Sequence, residues 1–167
     1  MNSKIISQTV KPSDAVFGSK SNPHQRVLVV DDDVDIRRVN TETLVGSGYK
    51  VDAAADGADA WDVLQVNRYD LLVTDYNMPK MSGVDLLLKL HTARIVLQVI
   101  MVSGTIPTEQ LKRHPWLQID ATLLKPYTSD ELLATVKKVL HATGAISRQT
   151  APLPNWQDQP VDQRLQP

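Results

Sequence analysis

Apolar and polar positions alternate along the chain in an order that predicts strands and helices in turn. Between about residues 25 and 142, short apolar runs are followed by amphipathic stretches, five times over. The run Arg26–Val30, apolar at four successive positions, is typical of a strand buried on both faces. The five predicted strands are Arg26–Val30, Tyr49–Ala53, Tyr69–Asp75, Val96–Ser103 and Ala121–Leu124.

The amphipathic stretches carry helix signals. In the first of them, Ile36, Val39 and Thr43 recur at helical spacing. Starts are marked by capping residues and ends by glycine or proline. The first helix is predicted to start at Asp33 or Asp35 and to end at Gly46 and Gly48. Thr128 with Glu131 marks the start of the last helix, and Pro115 ends the short fourth helix, Pro107–His114.

Strands that alternate with helices imply a parallel sheet with helices on both faces, joined by right-handed crossovers. In such sheets the functional crevice lies beyond the carboxyl ends of the strands. The strand ends here carry three carboxylates, a hydroxyl and an ammonium, which we expect to converge on one edge. They are Asp31 and Asp32 after the first strand, Asp75 ending the third, Ser103 ending the fourth and Lys125 after the fifth.

This set of side chains is suited to phosphoryl chemistry. Clustered carboxylates repel one another, and a hard divalent cation relieves the repulsion. Magnesium fits because it keeps several waters and needs few protein carboxylates. A carboxylate left accessible beside the metal can attack phosphorus and form an acyl phosphate. Lys125 and Ser103 are then placed to hold the phosphoryl oxygens.

Four segments resemble the signatures of response-regulator receiver domains, the CheY-like proteins of two-component signalling. They occur in the family's order and at its spacing, and together they span about residues 25–142. The resemblance implies an α/β, flavodoxin-like (βα)5 fold, a doubly wound parallel sheet of strand order 2-1-3-4-5. The segments are Val-Leu-Val-Val-Asp31-Asp32, Leu-Leu-Val-Thr-Asp75-Tyr-Asn-Met-Pro79, Met-Val-Ser103-Gly and Leu-Lys125-Pro126-Tyr.

The resemblance also implies a role for each site residue. Asp75 accepts a phosphoryl group from a histidine kinase or histidine phosphotransfer protein, with Mg²⁺ as the cofactor. Ser103 and Lys125 contact the phosphoryl group, and the Lys125–Pro126 bond is cis. Such a domain catalyses only its own phosphorylation and dephosphorylation. The implied metal ligands are Asp32, Asp75, the backbone carbonyl of Asn77, and Asp31 through water.

One position departs from the family pattern. Receiver domains often carry Tyr or Phe near the start of strand five, where the ring moves with the hydroxyl of the site. Thr122 stands there in this chain, and Pro115 shortens the neighbouring helix. All the residues expected to bind the phosphoryl group are present, whereas the surface through which receiver domains usually pass on the signal is altered. Asn77 and Thr105 occupy the two variable positions that tune water access to the site in the family.

Two other functions are open to this sequence. Phosphotransferases of the haloacid-dehalogenase class also use an Asp nucleophile and magnesium, and Asp31 with Asp33 matches their paired acids. That interpretation puts Asp35 where Thr or Val belongs and leaves Asp75 unexplained. A pseudo-receiver, which keeps the fold without the chemistry, is disfavoured by the complete set of site residues.

Composition limits the kinds of partner that the protein is expected to bind and where in the cell it is expected to work. The formal net charge is −1, which gives no basic field for nucleic acid or an anionic membrane. The chain has no cysteine, so disulfides and thiolate chemistry are excluded. It contains no apolar stretch of signal-peptide length or of membrane-spanning length. We expect a cytoplasmic protein that signals through protein contacts, a phosphorylation-dependent homodimer among them.

The two ends differ from the middle. We expect residues 1–24 to form a flexible N-terminal extension and residues 143–167 an extended or disordered tail, with Trp156 best able to anchor it. The tail is too short for a helix-turn-helix output domain. The chain is therefore expected to act as a stand-alone receiver or phosphorelay intermediate, unless it is a piece of a longer regulator.

Overall fold

The computed structural model describes residues 25–105, 113–115 and 117–146. The predicted N-terminal extension, the tail beyond residue 146, Trp116 and most of the predicted helix Pro107–His114 lie outside these ranges.

The described residues form one five-stranded parallel sheet with the order β2-β1-β3-β4-β5. This is the predicted strand order, so the flavodoxin-like fold is confirmed. The strands are β1 (Arg26–Val30), β2 (Lys50–Ala54), β3 (Leu71–Asp75), β4 (Gln98–Ser103) and β5 (Ala121–Leu124).

The three central strands explain the apolar runs of the sequence. In β3 every residue is buried, and β1 and β4 are buried at all but their first position. The edge strands β2 and β5 each contain a single buried residue. A strand covered on both faces needs apolar side chains at successive positions, whereas an edge strand tolerates polar ones.

Among the described residues, two helices cover each face of the sheet. The helices α1 (Val34–Gly46) and α4 (Ser129–Ile146) pack on one face, where Leu44, Leu132 and Val136 meet the central strands. The helices α2 (Gly57–Val66) and α3 (Gly83–Thr92) pack on the other. No helix within the described ranges has the length and apolar character to span a bilayer.

Side chains cap the helix starts as the sequence predicts. Asp33 caps α1, and its carboxylate accepts hydrogen bonds from the amides of Asp35 and Ile36. Thr128 and Glu131 form the predicted capping box before α4, because each side chain accepts from the other residue's amide. These caps fix where each chain segment leaves the functional edge of the sheet.

Two local predictions were wrong. The buried residues of α1 are Asn40 and Leu44, whereas Val39 of the predicted stripe is 45% exposed. The buried face of α1 is therefore shifted by about one residue from the predicted stripe, and it includes the polar residue Asn40. Val96, predicted as strand, precedes β4 and is 89% exposed.

Candidate functional site

Three of the predicted residues meet at the carboxyl edge of the sheet. The Lys125 ammonium lies 2.5 Å from Asp75 Oδ1 and 3.2 Å from Asp31 Oδ2. Asp31 and Asp75 are buried, and the Lys125 side chain is 28% exposed. The parallel topology thus brings three residues, at or just after the ends of β1, β3 and β5, into one charged cluster.

Burial and pairing set the charge states in this cluster. Burial raises the pKa of the Asp31 carboxyl, an effect opposed by a hydrogen bond from the Asp33 amide and by the Lys125 charge. Burial alone lowers the pKa of the Lys125 ammonium, but its hydrogen bond to Asp75 and the Asp31 charge more than offset this, so its pKa is raised. Lys125 is therefore a cation at neutral pH, directed at Asp75.

Hydrogen bonds and a close helix approach fix the backbone around Asp75. Asp75 Oδ2 accepts a hydrogen bond of 2.8 Å from the Asn77 amide. The Tyr76 amide donates to the Val102 carbonyl of β4 at 2.8 Å. A Cβ on Gly83 would collide with the Asp75 carbonyl, so only glycine lets α3 begin this close to the site. The sequence analysis missed the role of Gly83, for which a glycine soon after Pro79 was the available signal.

Ser103 lies at the predicted edge, with its side chain directed into its own loop. It is buried at the end of β4, and its hydroxyl accepts a hydrogen bond of 3.3 Å from the Thr105 amide. The Ser103 carbonyl accepts a hydrogen bond of 2.9 Å from the Lys125 amide. The ends of β4 and β5 are thereby tied together beside Asp75, with the Lys125–Pro126 bond in the predicted cis form.

The acidic residues that follow Asp31 divide into two kinds. Asp32 is exposed, whereas Asp31 is buried. Asp33 is occupied as the cap of α1, and hydrogen bonds from the Ile36 and Asp35 amides hold the pKa of its carboxyl below the usual value. A carboxylate engaged in this way is poorly placed to act as the second acid of a dehalogenase-class site.

The donor set at this edge suits magnesium better than a metal held wholly by protein. Asp31 and Asp75 offer hard carboxylate oxygens, and Asp32 stands exposed beside Asp31. Within the described ranges, no group of three or more His, Cys, Asp or Glu side chains is already arranged around a metal position. Mg²⁺ takes one or two carboxylates and keeps several waters, so it does not require such a cage.

Two buried polar residues outside the predicted set also lie near this edge. Asp56 accepts a hydrogen bond from Lys80, in the loop between β3 and α3. Asn40 on α1 donates to the hydroxyl of Tyr127, in the loop after β5. In the sequence, Asp56 and Asn40 are only polar residues inside or beside an apolar stretch, and nothing there indicates their partners.

Comparison with known proteins places the chain among receiver domains. A family model described as the response regulator receiver domain matches residues 27–137. The sensor histidine kinase RcsC of Salmonella typhi is 32% identical over 136 residues, which cover 81% of this chain and 14% of that protein. The chain thus spans a small part of this relative.

Two solved structures share the fold over nearly their whole length. The chemotaxis response regulator CheY4 of Vibrio cholerae is 30% identical, with a TM-score of 0.62, and the match covers 70% of this chain and 98% of that one. The response regulator protein TrrA from Thermotoga maritima, in complex with Mg²⁺-BeF, is 30% identical with a TM-score of 0.61, covering 69% of this chain and 98% of that one.

Proposed function

Because the chain belongs to the family of response-regulator receiver domains, we propose that it accepts a phosphoryl group on Asp75. The donor is a histidine kinase or a histidine phosphotransfer protein, the cofactor is Mg²⁺, and the domain signals through phosphorylation-dependent protein contacts. The observation that carries the proposal is the Lys125 ammonium shared between Asp75 Oδ1 and Asp31 Oδ2. A partly buried cation beside a buried carboxylate is an arrangement that stabilises the charge of an incoming phosphoryl group.

The transfer step balances within this site and its donor. An Asp75 carboxylate oxygen forms a bond to phosphorus while the bond from phosphorus to the donor's imidazole nitrogen breaks. The leaving nitrogen keeps the electron pair and takes up a proton. Lys125 turns from the Asp75 oxygen toward the phosphoryl oxygens, and the Ser103 hydroxyl donates to another of them.

Mg²⁺, when bound, would supply positive charge that neutralises the phosphoryl oxygens. Asp32, Asp75 and the Asn77 carbonyl would hold it, and Asp31 would hold it through water. This assignment is supported by the hard oxygen donors gathered at the edge and by the TrrA structure with Mg²⁺-BeF. Lys125, a cation, would serve the phosphoryl group and not the metal.

We further propose the extent and setting of this function. The receiver occupies residues 25–142, with the extension 1–24 and the tail 143–167 outside it, and it works in the cytoplasm. The similarity to a part of RcsC favours a kinase or a phosphotransfer protein as the partner. A phosphorylation-dependent homodimer is one contact that the phosphoryl group can control.

The test of this function is incubation with acetyl phosphate, with and without Mg²⁺, followed by intact mass. We expect one added phosphoryl group that requires Mg²⁺, is labile to base and is absent from Asp75→Asn. Asp62→Asn, an exposed carboxylate on α2, is the matched control and should be phosphorylated normally. No adduct on the folded protein with any small donor would indicate a pseudo-receiver. Turnover of added phosphate esters would indicate the dehalogenase class instead.

A further inference from the structure

Asn40 is a buried amide that none of the assigned roles uses. It lies on α1 with 4% of its surface exposed, among apolar residues that cover the sheet. Its Nδ2 donates a hydrogen bond of 2.8 Å to the hydroxyl of Tyr127, 87 positions away in the sequence. Burying an amide is unfavourable unless it is hydrogen-bonded, so this contact decides whether the residue is tolerated there.

Tyr127 lies in the short loop between β5 and α4, two residues after Lys125. The loop leaves the sheet where the Lys125 amide donates to the Ser103 carbonyl, and Pro126 has no amide to donate. The Tyr127 ring packs partly buried against the cluster of α1 and α4, and burial raises the pKa of its phenol. The hydroxyl is therefore neutral at pH 7 and available as the acceptor for Asn40.

The hydrogen bond between Asn40 and Tyr127 fixes this loop to α1 close to Lys125. A second contact, between the Thr43 and Ser129 hydroxyls at 3.1 Å, joins α1 to the start of α4. The Lys125 stem is flexible, so its Nζ keeps one position only while the backbone that carries it is also held. The contact from α1 holds that backbone two residues after Lys125.

We propose that Asn40 and Tyr127 are positioning residues that hold the Lys125 ammonium on Asp75 and Asp31. The proposal deepens the proposed function, on which its catalytic consequence rests. Removing the hydrogen bond lets the loop and the Lys125 stem sample other positions. The ammonium is then exposed more often, and phosphoryl acceptance slows. Mg²⁺ affinity does not fall, because neither residue is among the proposed metal ligands and the ammonium competes with the metal for Asp75 and Asp31.

The test is Tyr127→Phe, which removes the hydroxyl and keeps the ring. Tyr69→Phe is the matched control, since it removes a hydroxyl hydrogen-bonded to Asp52 at 2.8 Å beside Arg26, at the opposite edge of the sheet. Three quantities are measured in each protein: the rate at which an amine-reactive ester labels Lys125 without any phosphoryl donor, the rate of phosphorylation by acetyl phosphate, and Mg²⁺ affinity by calorimetry.

We expect Tyr127→Phe to raise the labelling rate of Lys125 and lower the phosphorylation rate, each by about threefold to tenfold, the range that one hydrogen bond of ordinary strength allows. Tyr69→Phe should leave both rates and the Mg²⁺ affinity at the wild-type values, and Mg²⁺ affinity in Tyr127→Phe should be no lower than in the wild type. Asn40→Leu should reproduce the effect of Tyr127→Phe, and the double variant should be no worse than either single one.

Labelling of Lys125 at the wild-type rate in a folded Tyr127→Phe protein would overturn the proposal. A parallel loss of Mg²⁺ affinity would also overturn it, because general damage to the site moves both quantities. If the wild-type protein takes up no phosphoryl group while the labelling difference persists, the proposed function fails and the positioning role stands.

Discussion

At the scale of single residues, Asp56 shows how one buried carboxylate joins two loops. It caps α2 by accepting from the Ala58 and Asp59 amides, and its second oxygen lies 2.5 Å from the Lys80 ammonium. Lys80 adopts a left-handed backbone with φ of 60° in the loop that carries Asn77. The pair therefore ties the loop that follows Asp75 to the start of α2.

The Asp56–Lys80 pair predicts a specific pH dependence of stability. The hydrogen bond from Lys80 lowers the pKa of the Asp56 carboxyl in the folded protein. Because the pKa of Asp56 is lower in the folded protein, its ionised carboxylate stabilises the fold at pH values above the unfolded pKa of about 3.9. This contribution is lost as the pH falls through the folded pKa. Wild type should therefore be more stable than Lys80→Met at pH 7, and the difference should vanish in acid.

Urea unfolding of both proteins between pH 7 and pH 3 measures this difference. Lys50→Met, a change at an exposed lysine that begins β2, is the control and should track wild type throughout. A gap between wild type and Lys80→Met that stays constant with pH would show that the Asp56 carboxyl does not sense Lys80.

At the scale of elements, helix ends differ in how closely they approach their neighbours. Gly46, the last residue of α1, has no atom within 4 Å of an added Cβ among the described residues. Gly57, the first residue of α2, would place a Cβ 2.5 Å from the Met81 carbonyl oxygen. Helix propensity favours alanine at both positions, so packing decides the outcome.

We predict opposite effects for the two alanine substitutions. Gly46→Ala should stabilise the protein by about 0.4–1 kcal/mol, because it restricts the unfolded chain and collides with nothing. Gly57→Ala should destabilise it by about 1–3 kcal/mol, because the loop containing Met81 must shift. Chemical denaturation of both variants measures the two free energies. Equal effects would mean that the approach of α2 to this loop is looser than the structure shows.

At the scale of the whole molecule, binding at the edge of the sheet is linked to global stability. Ligands that bind only the folded state raise its free energy of unfolding by mass action. The donors proposed for Mg²⁺ lie at or just after the ends of β1 and β3, which are central strands, so the folded sheet creates the site. Mg²⁺ should stabilise the entire described fold rather than one loop.

Mg²⁺ at tenfold over its dissociation constant should raise the free energy of unfolding by about 1.4 kcal/mol. Asp32→Asn should abolish most of this gain, because it removes a proposed direct ligand. Asp35→Asn, a neighbouring exposed carboxylate paired with Arg38, should keep the full gain. Thermal unfolding with and without Mg²⁺ makes the comparison, and an undiminished gain in Asp32→Asn would remove that residue from the metal shell.

The sequence by itself determined the fold class and the location of the site. Continuous apolar runs identified the central strands, since only a strand covered on both faces needs apolar residues at successive positions. Polar residues at the strand ends then predicted the edge that holds the candidate site. The structure confirms the strand order, the caps at Asp33 and Thr128, and the meeting of Asp31, Asp75 and Lys125.

Only the tertiary structure decided which polar residues pair across distant segments. Asn40 and Tyr127 stand 87 positions apart, and Asp56 and Lys80 stand 24 apart. Local periodicity contains no information about such partners, because it reports only which face of an element is apolar. The same limit explains why the stripe through Val39 was wrong, since the buried face of α1 includes the polar Asn40, whose hydrogen-bond partner lies on another element.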